Sequence, residues 1–280
     1  FLFLPKEVII TAMREHQRYF AVTSENGEFT NCFVNIRDGG DSNNEFVTQR
    51  HSKVLFARLK DAEFFYQEDL KKPIEDNLPK LKEAIFITGL GTMFQKVERL
   101  ASIAAMSDTL FGYDNPELLS LAARYSKADL VTDMVSEKEY VGLRGFMGGV
   151  YFHKQGKPEK ICKAVSEQYY PNFVGDALPS TKEGILLSLI DKIDNICGFF
   201  TAGFKPTGSK DPYAVRRQAL TAIYIILEKN LDINLGRLIS AVMDEYRAKL
   251  GKSCDENELL EFFRQRELNY FKDRQIDYDI

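Results

Sequence analysis

The sequence predicts a mainly α-helical fold in which a small α/β segment precedes a larger helical domain. From about Lys53 onwards, apolar residues recur at helical spacing in nearly every segment. Before that point, the pair Asn26-Gly27 lies between two short runs of aromatic and β-branched residues, which is typical of a β-hairpin. With 280 residues, of which 44% are hydrophobic, the chain can bury one large core or two modest ones.

The first 58 residues are interpreted as mixed α/β. The stretch KEVIITAM begins with helical spacing, and the residues from Tyr19 to Val22 have the character of a strand. The segment TNCFVNIRD is predicted to be the return strand of the hairpin, and GGDSNN at 39–44 is predicted to be a loop.

The remainder of the chain is predicted to be helical. A helix is expected from Lys53, followed by helices at 78–87, 92–107, 116–138, 158–170, 181–200, 212–229, 235–250 and 255–272. Several starts carry capping signals: Asn115 and Asp211 each precede a proline, and Ser180 is followed by Glu183 in a capping box.

Composition excludes several classes of protein. The net charge is −4, so contact with nucleic acid must come from a local basic patch. The four cysteines are scattered without a CxxC pair, which argues against zinc ribbons and disulfide frameworks and favours a reducing cytoplasm. No apolar run approaches the roughly 18 residues of a membrane span, and no signal peptide is evident. Because the sequence does not begin with Met, we expect it to be a piece of a longer protein.

Metal chemistry has weak support from the sequence. The three histidines, His16, His51 and His153, are far apart and form no HxxxH or HExxH pattern. Asp191 and Asp194 lie three residues apart in an apolar helix. They are either a solvated stripe or the remnant of an acid or metal site, and the sequence leaves both open.

The stretch GFKPTGSKDPYAVRRQAL at 203–220 has the glycine spacing of a phosphate-binding loop without its GK[ST] ending. It carries a local net charge of +3, and Asp211 with Pro212 predicts a helix start at 212. Cations at a helix N-terminus oppose the helix dipole, whereas a bound anion would explain them. A solvated basic loop is the alternative. Arg217 is predicted to share the more polar helix face with Thr221, Tyr224 and Glu228.

The stretch MREHQRYFAV interleaves cations with aromatic residues, a composition suited to RNA because bases stack on rings and phosphates contact arginines. An ordinary amphipathic edge is the alternative. Near Asp129, the residues Arg124 and Lys127 add two further cations.

Six stretches together resemble the beta subunit of the bacterial two-subunit glycyl-tRNA synthetase. They are MREHQRYFAV, VLFARLKDAEFFYQEDLKKPIE, GLGTMFQKVERL, SKADLVTDMV, EQYYPNFVGDALPS and PTGSKDPYAVRRQAL. The resemblance implies that this chain is the middle of the subunit, with domains preceding it and an anticodon-binding domain following it. One departure is Arg144, which stands where the family usually has Gln.

The resemblance also implies an HD-type helical domain with degenerate metal positions. The first-histidine position falls near Lys96, Ala128 replaces the histidine of the His-Asp pair and leaves Asp129, and Asp191 is retained. No metal site is therefore expected, and the two acids are left for helix contacts or weak Mg²⁺ binding. The expected domains are 1–75 for the α/β segment with a connecting helix, 76–235 for the HD-like domain, and 236–280 for the C-terminal helices.

In this family the alpha subunit is understood to perform the ATP- and Mg-dependent chemistry, so the resemblance implies no catalytic residue and no cofactor in this chain. It implies a cytoplasmic enzyme of two alpha and two beta subunits, in which this chain binds tRNA(Gly) at its acceptor arm. A residual HD phosphohydrolase and a docking module for the alpha subunit are the alternatives. The predicted tRNA-binding residues are Lys205, Gly208, Lys210, Arg216, Arg217, His16, Gln17, Arg18, Arg124 and Lys127.

Overall fold

A computed structural model of the protein describes residues 1–15, 17–40, 42–208, 210–211 and 213–275. It confirms a mainly α-helical fold with a small α/β segment at the N-terminus. In chain order the elements are α1 (Lys6–Arg14), β1 (Phe20–Thr23), β2 (Phe29–Val34), α2 (Asn44–Leu70), α3 (Met93–Ala105), α4 (Ser107–Phe111), α5 (Pro116–Tyr125), α6 (Asp133–Ser136), α7 (Phe146–Lys154), α8 (Glu159–Glu167), α9 (Lys182–Thr201), α10 (Val215–Glu228), α11 (Leu235–Leu250) and α12 (Glu256–Asp273).

The hairpin forms where the Asn-Gly pair predicted it. β1 and β2 are antiparallel, with Phe20 opposite Val34, and the Ser24 N–H donates to the Glu28 carbonyl at 2.8 Å. Gly27 has φ of +74°, a left-handed conformation that glycine adopts without steric cost. The turn therefore explains why the two strands pair in this register.

α2 begins at Asn44, nine residues before the predicted start at Lys53. Its first turns carry few buried side chains, and Phe46, Val54 and Phe56 are exposed. Because that part of the helix has no continuous buried face, its sequence lacks the apolar periodicity on which the prediction depended.

α9 is the central helix of the helical part, since nearly every residue from Glu183 to Phe200 is buried. Helices α3, α5, α8, α10 and α11 pack against it. Its N-cap is Thr181, whose hydroxyl accepts the Gly184 N–H at 3.0 Å. The predicted capping box from Ser180 is thus wrong, and the Ser180 hydroxyl instead donates to Glu167 at 2.7 Å.

The single helix predicted at 116–138 is three separate pieces. α5 begins as predicted, with Asn115 accepting the Leu118 N–H and Pro116 in the first turn, but it ends at Tyr125. A 3₁₀ segment at Ala128–Val131 follows, and Thr132 then caps α6. The predicted helix at 78–87 is likewise a 3₁₀ segment, Ile74–Lys82, which contains Pro79.

α7 was not predicted, because the sequence GFMGGV contains three glycines, and glycine has a low helix propensity. Two of these glycines allow α7 to pack closely against α8. A Cβ on Gly149 would lie 2.6 Å from the Cys162 carbonyl oxygen, and one on Gly148 would lie 2.9 Å from a methyl group of Val165. Glycine is therefore required here for the approach of two helices.

We predict that Gly149→Ala lowers the free energy of unfolding by about 1–3 kcal/mol, because the new methyl group meets backbone that must move. Gly142→Ala is the matched control, since a Cβ there meets nothing within 4 Å. The control should change the free energy by no more than about 0.5–1 kcal/mol. Urea unfolding measures both, and equal losses in the two variants would contradict the packing argument.

The buried apolar residues form a core cluster that extends from Leu4 in the N-terminal segment to Tyr270 in α12. Within the described part of the chain, no helix is both long enough and apolar enough to cross a bilayer. The predicted domain boundaries at 75 and 235 stay a prediction.

Candidate functional site

The segment 203–217, here called the basic loop, joins α9 to α10. Gly203 has φ of +80° and Gly208 has φ of +50°, so both glycines occupy left-handed positions. Thr207 and Lys210 exchange two backbone hydrogen bonds, at 3.1 and 2.8 Å, across a tight turn. A Cβ at either glycine would meet nothing within 4 Å, so the backbone at these turns is open on its outer side.

Asp211 caps α10, as its position in the sequence suggested. It lies four residues before the first helical residue, Val215, rather than directly before it. Its carboxylate accepts the N–H groups of Val215 at 2.7 Å and Arg216 at 3.0 Å. Ala214 precedes the helix in a left-handed conformation, with φ of +52°, and α10 begins at Val215 rather than at 212. Pro212, the predicted first helical residue, lies outside the described residues.

The polar face predicted for α10 is wrong for two of its four residues. Thr221 and Tyr224 are buried, whereas Arg217 and Glu228 are exposed. The Thr221 hydroxyl bonds the Gln218 carbonyl at 3.0 Å, which satisfies it inside the protein. Arg217 therefore projects from the first turn of the helix and does not continue a polar stripe along it.

The cations of the basic loop differ in their partners. Lys205 forms an ion pair with Glu258 of α12 at 2.6 Å, so its charge is balanced within the protein. Lys210 and Arg217 are exposed and Arg216 is partly exposed. Within residues 1–15, 17–40, 42–208, 210–211 and 213–275, these three have neither a hydrogen bond nor an ion pair from their side chains. They are the cations of the loop that remain available to an external anion.

α12 adds a cation that the sequence did not indicate. Burial lowers the pKa of Arg266, and the nearby Arg216 guanidinium lowers it further. The Arg266 guanidinium also lies over the Phe262 ring at 4.2 Å. Because α10 and α12 pack together, a residue 50 positions along the chain extends the basic surface. The sequence around the basic loop does not indicate this residue, because only the packing of α12 on α10 brings it there.

Beneath the start of α10 lies a buried ion-pair cluster, formed by Lys96, Arg99, Lys127, Asp191 and Asp194. Lys96 Nζ is 2.6 Å from Asp194 and 3.0 Å from Asp191, and Lys127 Nζ is 2.9 Å from Asp191. Arg99 makes a two-pronged contact with Asp194, at 2.9 and 3.2 Å. The cluster therefore joins α3 and the segment after α5 to the middle of α9.

The carboxylates of the cluster stay ionised although they are buried. Burial alone would raise the pKa of Asp191, but Lys127 and Lys96 hold it well below its usual range. Burial likewise opposes ionisation of Asp194, and Arg99 and Lys96 lower its pKa. Such compensation is required, because an unpaired buried charge is very costly.

These positions decide two sequence-based hypotheses. The solvated stripe considered for Asp191 and Asp194 is wrong, since both are buried. The prediction that Lys127 contacts tRNA is corrected as well: the side chain is 1% exposed, and its ammonium group bonds Gln168 and Asp191 inside the protein. Lys96, at the position equated with the first histidine of an HD site, is also buried in the cluster.

Asp129 lies beside the cluster, at the start of α7. Its Oδ2 accepts the N–H groups of Gly145 at 2.5 Å and Gly148 at 3.2 Å. Its Oδ1 is buried without a hydrogen-bond partner among the described residues. Burial raises the pKa of Asp129 to about 6, against the lowering effects of these N–H groups and Lys127. The partnerless oxygen is where the proton would reside.

This pKa predicts a pH-dependent difference between the protein and its Asp129→Asn variant. A carboxyl whose pKa is raised on folding contributes stability below its unfolded pKa, and that stability is lost as pH rises through the folded pKa of about 6. Relative to the variant, the protein should therefore lose about 2 kcal/mol between pH 4.5 and 7.5, at about 1.4 kcal/mol per pH unit below the folded pKa. Urea unfolding across this range measures it, and parallel curves would show that Asp129 does not titrate there.

The remaining predicted contact residues lie elsewhere on the surface. Arg18 is exposed between α1 and β1, with φ of +51°, and Gln17 accepts a hydrogen bond from the Tyr19 hydroxyl at 3.3 Å. His16 is outside the described residues. Arg124 is exposed at the end of α5 and lies 3.8 Å from Glu98. Arg18 and Arg124 stay candidates on exposure alone, and Gln17 is only partly exposed.

The described residues hold no group of three or more His, Cys, Asp or Glu side chains arranged for a metal ion. In addition, Asp191 is already ion-paired by two ammonium groups, at 3.0 and 2.9 Å. Asp191 therefore suits internal ion pairing better than metal coordination.

Comparisons with known proteins agree along the whole chain. The family model described as "Glycyl-tRNA synthetase beta subunit" matches residues 1–280. Among curated proteins, the glycine–tRNA ligase beta subunit of Clostridioides difficile is 42% identical over 280 residues, or 99% of this chain. The corresponding subunit of Bacillus subtilis is 40% identical and that of Desulforamulus reducens is also 40% identical, each over the full chain. The chain spans about 40% of the length of these relatives.

Proposed function

Because the chain belongs to the family of glycyl-tRNA synthetase beta subunits, we propose that it supports the glycylation of tRNA(Gly) by binding the tRNA, with the acceptor arm as the region bound. The alpha subunit would perform the ATP- and Mg-dependent chemistry, and the chain itself would contribute no catalytic residue and no cofactor. We also propose that it works in the cytoplasm, within an assembly of two alpha and two beta subunits.

The observation that carries the proposal is the set of unpaired cations around the start of α10. Within the described residues, the side chains of Lys210, Arg216 and Arg217 form no ion pair, and Arg266 adds a fourth positive charge beside Arg216. Their mutual repulsion costs stability, and a phosphate backbone would relieve it. Contacts of this kind position an RNA rather than read its sequence.

The turns at Gly203 and Gly208 support the same function. They keep the loop close to the end of α9. Its backbone is exposed, but it is held in place by hydrogen bonds such as the one from the Phe204 N–H to the Phe199 carbonyl. With no side chain at Gly208, a phosphate can approach the backbone of the turn closely. Asp211 occupies the first N–H groups of α10, so the loop and its side chains, rather than the helix end, would bind the RNA.

The phosphohydrolase alternative is not supported by the residues at the former HD positions. An HD hydrolase needs a metal ion to activate water. Here Lys96 and Lys127 neutralise Asp191, and Asp129 faces two backbone N–H groups. A divalent cation at this place would meet two ammonium groups, which Coulomb repulsion opposes.

One observation favours docking of the alpha subunit as a second candidate function. Lys205 already pairs with the carboxylate of Glu258, which shows that the basic loop accepts acidic side chains. An acidic surface of the alpha subunit could therefore occupy the same cations. The two functions differ in what lies against the loop in the assembled enzyme.

A photo-crosslinking amino acid at position 213 tests the proposal, because Tyr213 is 42% exposed beside these cations. In the complete enzyme with labelled tRNA(Gly), we expect Tyr213→benzoylphenylalanine to crosslink to the RNA. The same replacement at Lys154, an exposed residue at the end of α7, is the control and should give little RNA adduct. Crosslinking of position 213 to the alpha subunit alone would support docking and overturn the RNA proposal.

A further inference from the structure

A polar pocket of about 270 Å³ lies between three parts of the structure: the middle of α9, the connection from α8 to α9, and the first turns of α10. We call it the interhelical pocket. Its charged lining residues are Arg144, Lys192, Arg217 and Asp191. It adjoins the basic loop, since Tyr213, Ala214 and Arg217 of the loop line it.

The wall of the interhelical pocket is positive in spite of Asp191. The two oxygens of this carboxylate lie 3.0 Å from Lys96 and 2.9 Å from Lys127, so its charge is compensated from behind. Lys192 adds a further ammonium group: burial lowers its pKa to about 8, which leaves it mostly protonated at pH 7. The field that remains in the pocket favours an anion.

Two guanidinium groups are free to contact a ligand in the pocket. Within the described part of the chain, Arg144 and Arg217 have no hydrogen bond and no ion pair from their side chains. Arg144 is oriented by the ring of Tyr169, whose centroid is 5.2 Å from it. The three donor positions of Lys192 are used by the carbonyls of Tyr169 and Tyr170 and by Ser188.

The base of the pocket is closed to a ligand by internal ion pairs. Asp191 Oδ1 is buried and lies 3.0 Å from Lys96, and Oδ2 lies 2.9 Å from Lys127. The groups of the pocket that can contact an anion are therefore the two arginines.

We infer that the interhelical pocket binds a phosphomonoester, with the phosphate held by Arg144 and Arg217. A phosphate presents several oxygens to two planar guanidinium groups at once, which suits paired arginines. The pocket volume is just below the range of about 300–1,000 Å³ found for drug-sized ligands, so a group of sugar-phosphate size fits.

Two sources could supply this chemistry: the 5′-terminal phosphate of an RNA, or a free sugar phosphate. The inference shares Arg217 with the proposed RNA surface but does not depend on RNA binding. Arg144 belongs to the interhelical pocket and not to the predicted tRNA-contact residues. Variants at Arg144 therefore separate a failure of the pocket from a failure of the basic loop.

The first measurement is the binding of ribose 5-phosphate to the 280-residue chain by calorimetry. We expect saturable binding, weakened at least tenfold in Arg144→Gln/Arg217→Gln and unchanged in Arg264→Gln. Arg264 is an exposed α12 residue that pairs with Glu261 at 3.5 Å and does not line the pocket. Absence of saturable binding up to about 10 mM (about 2.7 kcal/mol of binding free energy), or equal affinity in the double variant, would overturn the inference.

The second measurement distinguishes the sources. If the phosphate belongs to RNA, removal of the 5′ phosphate from tRNA(Gly) weakens binding to the protein, and Arg144→Gln then has no further effect. If it belongs to a free sugar phosphate, tRNA affinity is the same with and without the 5′ phosphate, while ribose 5-phosphate still binds. Either result supports the pocket when ribose 5-phosphate binding is also weakened in Arg144→Gln/Arg217→Gln, and tRNA affinity independent of the 5′ phosphate without that weakening overturns the inference.

Discussion

Lys96→Met is expected to lower the free energy of unfolding by about 3–5 kcal/mol, the cost of removing one partner from a buried ion pair. Lys96 is 2% exposed and contacts Asp191 and Asp194, and it also donates to Asn195 at 2.9 Å. Met matches its length but supplies no charge, so two carboxylates inside the protein would lose part of their compensation. Urea unfolding followed by circular dichroism measures the loss.

A second variant keeps this prediction testable if the single variant folds poorly. In Lys96→Met/Asp191→Asn one positive and one negative charge are removed together, so the balance of the cluster is restored. We expect the double variant to be more stable than Lys96→Met, with a coupling energy of about 0.5–3 kcal/mol. Lys138→Met is the control: Lys138 is exposed, and its loss should change the free energy by less than about 0.5 kcal/mol. A loss for Lys96→Met as small as that of the control would contradict the account of the cluster.

The triple variant Lys210→Gln/Arg216→Gln/Arg217→Gln is expected to bind tRNA(Gly) at least tenfold more weakly than the unmodified protein near 150 mM salt. Each cation that contacts a phosphate releases counterions on binding, so three lost contacts should also reduce the slope of log affinity against log salt by about 2–3. None of the three side chains has a hydrogen bond or an ion pair with a described residue, so their removal should leave the fold intact.

The matched control for this variant removes the same charge from another surface. Lys138, Lys154 and Lys163 are exposed, and none belongs to the basic loop or the interhelical pocket. Their replacement by Gln should leave affinity and salt slope nearly unchanged. Equal losses in the two triple variants would mean that net charge, rather than the basic loop, determines RNA binding.

Local signals in the sequence predicted much of the fold. Asn115 followed by Pro116 gives the start of α5, the Asn-Gly pair gives the hairpin, and the helix predicted at 235–250 agrees with α11. These features depend on neighbouring residues, whose spacing is visible along the chain. The predictions fail where contacts between distant segments determine the ends of a helix. Asp129 bonds Gly145 and Gly148 across the start of α7, and the helix predicted through it is broken.

The candidate site shows the same division. The basic loop could be recognised because its cations and glycines are contiguous. The charge balance of the loop could not be predicted from the sequence, because Glu258 and Arg266 come from α12, about 50 residues later. The interhelical pocket also joins Arg144 to Arg217 across more than 70 positions. Lys127 looked like a surface cation, and only its burial against Asp191 shows that it is structural.

The buried cluster and the basic loop are connected through α9. Asp191 and Asp194 attach the middle of this helix to α3 and to the segment after α5. The last turn of α9 then leads into the loop through Gly203, with the Phe204 N–H donating to the Phe199 carbonyl at 2.8 Å. We expect loss of the cluster to disturb the loop as well as the core, since both depend on the same helix.

The most direct test of the central claim is a nuclease footprint of tRNA(Gly) on the complete enzyme, compared between the unmodified protein and the variant lacking Lys210, Arg216 and Arg217. The account predicts protection of the acceptor arm by the unmodified enzyme and loss of part of that protection in the variant, while protection elsewhere on the tRNA persists. An identical footprint in both would show that the basic loop does not contact the RNA, and would contradict the proposed function.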